Sequence, residues 1–519
     1  MAIALPTSPA FMDAFFGAVL AGALPVPLYP PLRLGRLDEY HRRTARMLSC
    51  VGARVLVTDA RIRRLMGASV AAGAPALGCW TVESMAGAPA APLARTARPE
   101  EAALIQFSSG TTVDPKPVVL SHAALLANVA AIDSFIPDDG SYQAGVSWLP
   151  LYHDMGLIGC LLEAIYRPGP LCLLGPELFL GRPALWLRAI SRHRATVSVA
   201  PNFAFGLCTR RVRDKELEGV DLSSWRLAVN GAEPVSAATL RAFAERFAPF
   251  GFRAQALTPV YGLSEAALAV TFSQPQARLT TLKVDAAQLA QQGTVRAGER
   301  EVVSVGAPIP GTEVEVRDPG GRPLEDDRVG CVFVKGPSVM KGYYGAPEAT
   351  LQVLAGGWLD TGDLGFVHSG ELYLCGRAKE VVILRGANHA PQEFEECLDG
   401  LAGVRAGCCV AFGFVPKEVG SEELALLVER DPEAPQDKEL PAKIRGRVAE
   451  RTGIRPYRVE LLAPGTLPRT SSGKLKRGDA ARQFSEGTLE PPRPVNSLSL
   501  ARAMVASEVA FLRAKRRGE

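Results

Sequence analysis

No Cys-x-x-Cys pair occurs in this chain, although it holds ten cysteines. Zinc ribbons and dithiol redox motifs are therefore unsupported. The cysteines, at 50, 79, 160, 172, 208, 331, 375, 397, 408 and 409, read as small buried apolar residues of a reducing, cytoplasmic compartment. Cys408 and Cys409 are adjacent, and neighbours in a strand point to opposite faces. A long apolar run is also missing. The nearest, residues 9–24, is interrupted by Asp13 and has no basic stretch before it. Those two features argue against a signal peptide; the run also falls short of the ~20 apolar residues that a membrane span needs, and reads as a buried helix capped by Ser8. Charge of one sign is scarce: +4 over 519 residues, with no basic stripe carrying interleaved aromatics, so a nucleic-acid groove is excluded. No internal repeat is present. What remains, 47% hydrophobic and 22% charged, describes a soluble globular protein too long for one ordinary core.

Through residue 374, short apolar strands alternate with amphipathic helices. Residues 55–58, 103–107, 197–200 and 227–229 read as strands. Ser121 and Ser236 cap helices over 122–135 and 237–248. Strand, loop and helix in repetition predict an α/β fold with a largely parallel sheet covered on both faces. Ligands of such sheets sit beyond the carboxyl ends of the strands. From 302 to 335 the pattern turns to alternating strands with Pro-Gly turns, a small β subdomain. Strands at 371–375, 381–384, 407–412 and 424–429, with helices near 392–398 and 438–451, predict a small mobile α+β C-terminal domain. Residues 476–497 are polar and Pro-rich and read as a linker. Residues 498–517 read as a last helix.

The run Phe107-Ser-Ser-Gly-Thr-Thr-Val-Asp-Pro-Lys116 follows a strand and crowds hydroxyls, loop amides and an ammonium together. That is the chemistry that grips a polyphosphate. A kinase or GTPase phosphate loop needs a Gly-Lys pair after its earlier glycine, and this run has none. Downstream stand Trp148-Leu-Pro-Leu-Tyr-His-Asp-Met-Gly156, Asn230-Gly-Ala-Glu-Pro234 and Tyr261-Gly-Leu-Ser-Glu265. Then come Trp358-Leu-Asp-Thr-Gly-Asp363, Gly376-Arg-Ala-Lys-Glu380 and Arg469-Thr-Ser-Ser-Gly-Lys474. In this order and spacing the chain, from about Phe11 to about Arg477, resembles the adenylate-forming superfamily. Leu-Tyr-His-Asp-Met-Gly-Leu-Ile-Gly, Asn-Gly-Ala-Glu-Pro-Val and Arg385-Gly-Ala-Asn388 with Pro391-Gln-Glu393 make it most similar to fatty acyl-AMP ligases.

That resemblance implies ATP-dependent activation of a fatty acid to acyl-AMP, with release of pyrophosphate. The acyl group then passes to the phosphopantetheine thiol of an acyl carrier protein or polyketide synthase carrier domain. It implies domains at 1–377, 378–485 and a linker and tail at 486–519. Ser108, Ser109, Gly110, Thr111, Thr112 and Lys116 are expected to grip the β- and γ-phosphates. Asn230, Gly231, Ala232 and Glu233 would line the adenine edge, with Tyr261 and Gly262 beside its face. Asp363 would bond the ribose hydroxyls, and Arg377 would approach the ribose or phosphate. Ser264, where Thr or Ala is more usual, would reach the α-phosphate, and Glu265 would hold Mg²⁺. Lys474, on a Ser-Gly tip, would bridge the substrate carboxylate and the α-phosphate. His153 is a catalytic or gating candidate, and Lys379 a hinge.

The chain departs from the family pattern in places. Val113 and Pro117 stand where small residues and Gly are usual and stiffen the phosphate loop. The family helix matching residues 9–24 follows a longer N-terminal stretch, so the chain reads as truncated, misassigned at its start, or lacking that piece. A real loss would expose sheet edges. The inserted segment of these ligases has a candidate at 277–300. Two other readings stay open: an acyl-CoA synthetase using free CoA, and a non-catalytic scaffold of the same fold. A hydrolase is discounted, because Gly262-Leu-Ser-Glu-Ala266 only grazes the nucleophile-elbow pattern and no Asp and His partners are identifiable.

Overall fold

A computed structural model of the chain describes residues 1–31, 34–87, 89, 96–108, 115–137, 139–416, 420–470 and 473–518, with 515–518 as backbone. Ser109, Gly110, Thr111, Thr112 and Val113 of the phosphate loop lie outside the described residues.

The strands Gly145–Ser147, Leu171–Leu173, Val197–Ala200, Leu227–Asn230 and Leu257–Gly262 run parallel in a seven-stranded sheet. Ala269–Phe272 and Ala307–Pro308 extend it antiparallel. Two of its central strands are buried along their whole length, Leu227–Asn230 and Ala269–Phe272. That is why residues 227–229 read as a continuous apolar run rather than an alternating one. Beside the sheet packs an aromatic cluster in which Trp186 contacts Phe205 and Trp225 edge-on at 5.7 and 5.2 Å. Each buried Phe there contributes on the order of 1.5–3 kcal/mol.

A second, fully parallel sheet has the order Val26–Pro27, Ala2–Ile3, Leu56–Thr58, Cys79–Thr81. Ala2–Ile3, which the sequence reading left unassigned, is thus flanked on both sides. Ser8 caps the helix Pro9–Leu20, accepting from the Phe11 amide. The β subdomain is a five-stranded antiparallel sheet of Glu313–Arg317, Gly330–Lys335, Leu354–Ala355, Trp358–His368 and Glu371–Arg377. Arg300–Val303 pairs instead with Thr281–Val284.

The small C-terminal domain packs Val404–Phe414, Glu423–Arg430 and Arg458–Leu462 between helices that include Leu440–Thr452 and Arg477–Ser485. Both faces of this sheet are covered. Cys408 belongs to one core and Cys409 to the other, as their adjacency predicts. The linker reading of 476–497 is corrected here. Arg477–Ser485 is a helix, and its Asp479 and Ala480 are fully buried. Asp479 is paired with Lys476 and with Arg43 of the N-terminal domain, a partner no local pattern reveals. The last helix, Ser497–Gly518, returns to the N-terminal domain. Its Ser507 Oγ accepts from the amide of Gly67 in the helix Ala60–Gly73 at 2.7 Å. No described helix is long and apolar enough to cross a membrane.

Candidate active site

Three strand ends meet in one cleft. Asp363 stands where Trp358–His368 pairs with Glu371–Arg377, directly opposite Arg377. Its Oδ1 lies 3.1 Å from Arg377 Nε, and its Oδ2 accepts from the Tyr261 hydroxyl at 2.6 Å. Burial pushes the Asp363 carboxyl up, opposed by Arg377 and Tyr261. A carboxylate offers about four lone-pair positions, so two bonds leave capacity for two hydroxyls.

The turn after Leu227–Asn230 is strained where it faces the cleft. Ala232 takes a left-handed φ of 71°, and a Cβ on Gly231 would lie 2.9 Å from the Val260 carbonyl oxygen. Glycine is needed there for close approach. Asn230 is fully buried, and its Oδ1 has no hydrogen-bond partner. Glu233 accepts from the Phe203 amide at 2.5 Å. Burial pushes its carboxyl up, and Phe203, Lys474, Arg469 and Arg477 oppose that.

On the neighbouring strand end, the turn Ser264–Ala266 presents Glu265, which accepts from the Tyr343 hydroxyl at 3.0 Å. Burial pushes its carboxyl up too, against the Tyr343 bond and Arg377. Ser264 donates to Asp154 Oδ2. Asp154 Oδ1 lies 2.6 Å from His153 Nδ1. Both residues are buried, and His153 Nε2 has no partner. Burial, the largest influence on Asp154, pushes its carboxyl up, but His153, Lys474 and Ser264 together hold it well below the usual range.

Lys474 arrives from the other domain on a tight hairpin. The Thr470 amide donates to the Lys474 carbonyl, the Lys474 amide donates to Thr470 Oγ1, Gly473 turns with φ 96°, and Arg469 donates to the Gly473 carbonyl at 2.7 Å. A Cβ on Gly473 would sit 3.7 Å from the Phe203 ring, so the tip rests on the large domain. Burial pushes the Lys474 ammonium below its ordinary range, opposed by Asp154 and Glu233. These two carboxylates are its counter-charges.

The base of the phosphate loop is a pinched pair. The Ser108 amide donates to the Lys116 carbonyl at 2.9 Å, and the Lys116 amide donates to Ser108 Oγ at 3.3 Å. Lys116 Nζ lies 4.6 Å above the Tyr343 ring, whose hydroxyl holds Glu265. Phosphate-side and metal-side candidates thus share one tyrosine. Lys379 stands apart, exposed in the turn Ala378–Glu380 beside Arg377.

The chain as a whole resembles known proteins. The profile of the AMP-binding enzyme family matches residues 1–344. The chain belongs to that family. This AMP-binding enzyme is 35% identical to the medium-chain-fatty-acid acyl-carrier-protein ligase JamA of Moorena producens, over 92% of this chain and 84% of that protein. It is 36% identical to a Caulobacter vibrioides protein bearing the name of an acyl-CoA synthetase, over 94% of this chain and 86% of that one. A solved structure from a study of fatty acyl-adenylate ligases from E. coli and L. pneumophila superposes with a TM-score of 0.86 at 34% identity, covering 94% of this chain and 88% of the other.

The role of one residue of this AMP-binding enzyme, and the contacts of its candidate insertion, escaped the sequence reading. Asp154 lay inside a quoted motif but was given no role, because its partner Ser264 is 110 residues away. The candidate insertion at 277–300 carries the strand Thr281–Val284 and the helix Ala286–Gln292. That helix contacts Ala387–His389 of the C-terminal domain, and Arg300 pairs with Glu393 at 2.6 Å.

Proposed function

We infer that this enzyme joins a fatty acid to ATP as acyl-AMP and then passes the acyl group to the phosphopantetheine thiol of an acyl carrier protein. The carrying observation is the Lys474 hairpin of the C-terminal domain, seated in the same cleft as Asp363, Glu265 and the Asn230 turn. The relatives' printed names support both the fatty-acid substrate and the carrier acceptor.

The substrate carboxylate attacks the α-phosphorus of ATP, and pyrophosphate leaves with the electron pair. Two anions must meet, so the barrier falls when fixed cations face the shared oxygens. Lys474 takes that position, between Asp154 and Glu233. Asp363 accepts from the ribose hydroxyls. Asn230, with its unpartnered Oδ1, and the Gly231–Ala232 backbone read the adenine edge beside Tyr261. Ser108 and Lys116 anchor the loop that holds the β- and γ-phosphates.

Glu265 suits Mg²⁺. That ion is held by one or two carboxylates plus substrate phosphates rather than by a protein cage, and no cluster of three His, Cys, Asp or Glu occurs among the described residues. Burial raises the proton affinity of the Glu265 carboxyl, a cost that a bound cation would offset. The ion would neutralise charge on the phosphates.

The domain boundary falls at Arg377/Ala378, and rotation near Lys379 withdraws Lys474 for the thiol step. The insertion's contacts with Ala387–His389 and Glu393 favour a carrier over free CoA, because they bridge both domains beside the hinge. The test is direct. The protein is incubated with ATP, Mg²⁺ and fatty acids of graded length, then given CoA or a phosphopantetheinylated carrier. Acyl-AMP with transfer to the carrier alone is expected. A CoA thioester of equal yield would make it an acyl-CoA synthetase, and no adenylate at all would make it a scaffold.

A further inference from the structure

Adenylation and acyl transfer make opposite demands on the same cleft. The first needs a cation beside the α-phosphate. The second needs a group that takes a proton from a thiol. The roles assigned above supply the cation and leave the proton acceptor unnamed. The pair beside Lys474 has the right form for it.

His153 Nδ1 and Asp154 Oδ1 are 2.6 Å apart. Two bare acceptors repel at that separation, so Nδ1 carries hydrogen and donates it to the carboxylate. The Met155 amide lies 3.4 Å from Nδ1 and 2.7 Å from Asp154 Oδ1, and its bond goes to the nearer carboxylate. Asp154 is fixed again at its other oxygen by Ser264. With Nδ1 committed, the open position on the ring is Nε2, which is buried and without a partner. A satisfied core histidine would have used both nitrogens. His153 also lines a cavity of about 130 Å³ between the domains, walled on the far side by Thr470 and Lys476.

We propose that Asp154 is a positioning residue for acyl transfer: clamped by Ser264, it holds His153 with Nε2 presented as the acceptor of the thiol proton. The proposal rests on the acyl-transfer reading above. In the step itself the thiol proton moves to Nε2 as sulfur attacks the acyl carbonyl carbon. The C–S bond forms, the bond from carbon to the phosphate oxygen breaks, and AMP leaves with that electron pair. Asp154 stabilises the imidazolium that results. Lys474 faces the same carboxylate during adenylation. When the hairpin withdraws, Asp154 no longer shares its charge with Lys474, so domain rotation itself readies the base. The other charged groups around His153 are Arg469 and Lys476 on the C-terminal side and Arg36, Glu39 and Arg43 across the cavity.

The test supplies chemically synthesised acyl-AMP, which bypasses the ATP half, and follows single-turnover transfer to phosphopantetheinylated carrier from pH 6.5 to 9.5. Asp154→Asn should slow transfer about a hundredfold at pH 7, within the usual span for a lost general base. The deficit should shrink to a fewfold near pH 9.5, because a thiol with pKa about 8.5 then ionises unaided. Ser264→Ala, which keeps Asp154 but frees one oxygen, should show a smaller deficit with the same convergence, and it carries the test if the Asn variant does not fold. A deficit that stays constant with pH, or transfer as fast as the unaltered enzyme at pH 7, overturns the proposal. Should the unaltered enzyme transfer synthetic acyl-AMP yet make none from ATP, the adenylation reading falls while the dyad stands. Should it make acyl-AMP but never transfer it, both the acceptor reading and the dyad fall.

Discussion

The ammonium of Lys474 faces Asp154 and Glu233 in a cleft whose walls come from a different domain. Removing it takes away the one cation that both carboxylates share beside the developing charge. Lys474→Ala should therefore lower fatty-acid-dependent pyrophosphate exchange by on the order of a hundredfold or more. Near-normal exchange would remove Lys474 from the mechanism. Its place was legible in the sequence, because a Ser-Gly tip ending in lysine is a local pattern. Asp154 was not, because its meaning comes from Ser264 and from a hairpin of the other domain. Glu163 is a second residue that only packing explains. Its Oε1 is buried without a partner, and burial pushes its carboxyl up to about 7, with Asp133 adding and Arg167 opposing. The folded protein keeps a proton that the unfolded chain releases near 4.5. The group's contribution to stability is therefore full below that value and is lost as pH climbs towards 7. Glu163→Gln is neutral throughout. Its stability relative to the unaltered protein should rise by on the order of 1 kcal/mol between pH 5 and 8, a figure reduced for partial exposure. Urea unfolding at the two pH values measures this, and an unchanged difference would refute it.

Elements were readable wherever one local force set them. Val197–Ala200 was predicted with both ends correct because its strand is bounded by Pro201. The helices at His122–Asp133 and Ala237–Phe247 were found from Ser121 and Ser236, whose hydroxyls do accept from the Ala124 and Thr239 amides. The helix Arg477–Ser485 was mistaken for a linker because its polar residues find partners elsewhere: Arg477 in Glu380 and Glu395, Asp479 in Arg43. The last helix was expected, but not where it docks. A Cβ on Gly67 would lie 1.9 Å from the Ser507 carbonyl oxygen, so the two backbones touch only because residue 67 has no side chain. Arg63 stacks over the Phe511 ring at 4.3 Å alongside. Gly67→Leu should push the last helix off, lower the unfolding free energy by the ~1–3 kcal/mol typical of overpacking, and expose residues 486–496 to protease. An unaltered cleavage pattern would mean that the helix is held by something other than this contact.

At the scale of the molecule, the C-terminal domain is pinned in the pose that seats Lys474. Arg43 on the helix Leu37–Cys50 reaches the fully buried Asp479 at 2.6 Å, which Lys476 also pairs at 2.8 Å. Arg36 donates to the Thr466 and Glu490 carbonyls at 2.9 Å each. Breaking one partner of a buried pair is costly because the other charge is left behind, so these contacts favour the seated pose while leaving release possible. The hinge acts in the opposite sense. Lys379 is exposed in the turn Ala378–Glu380, so its side chain is expendable while its backbone must turn. Two substitutions should then separate the half-reactions. Arg43→Ala loosens the seated pose and should slow adenylation about tenfold, equivalent to 1.4 kcal/mol of lost preference, with a smaller effect on transfer from synthetic acyl-AMP. Lys379→Pro fixes φ and restricts Ala378, and should slow transfer more than adenylation. Rapid-quench measurement of both steps in both variants checks the pair. Equal losses in the two half-reactions for either variant would mean that the domain does not alternate between two poses.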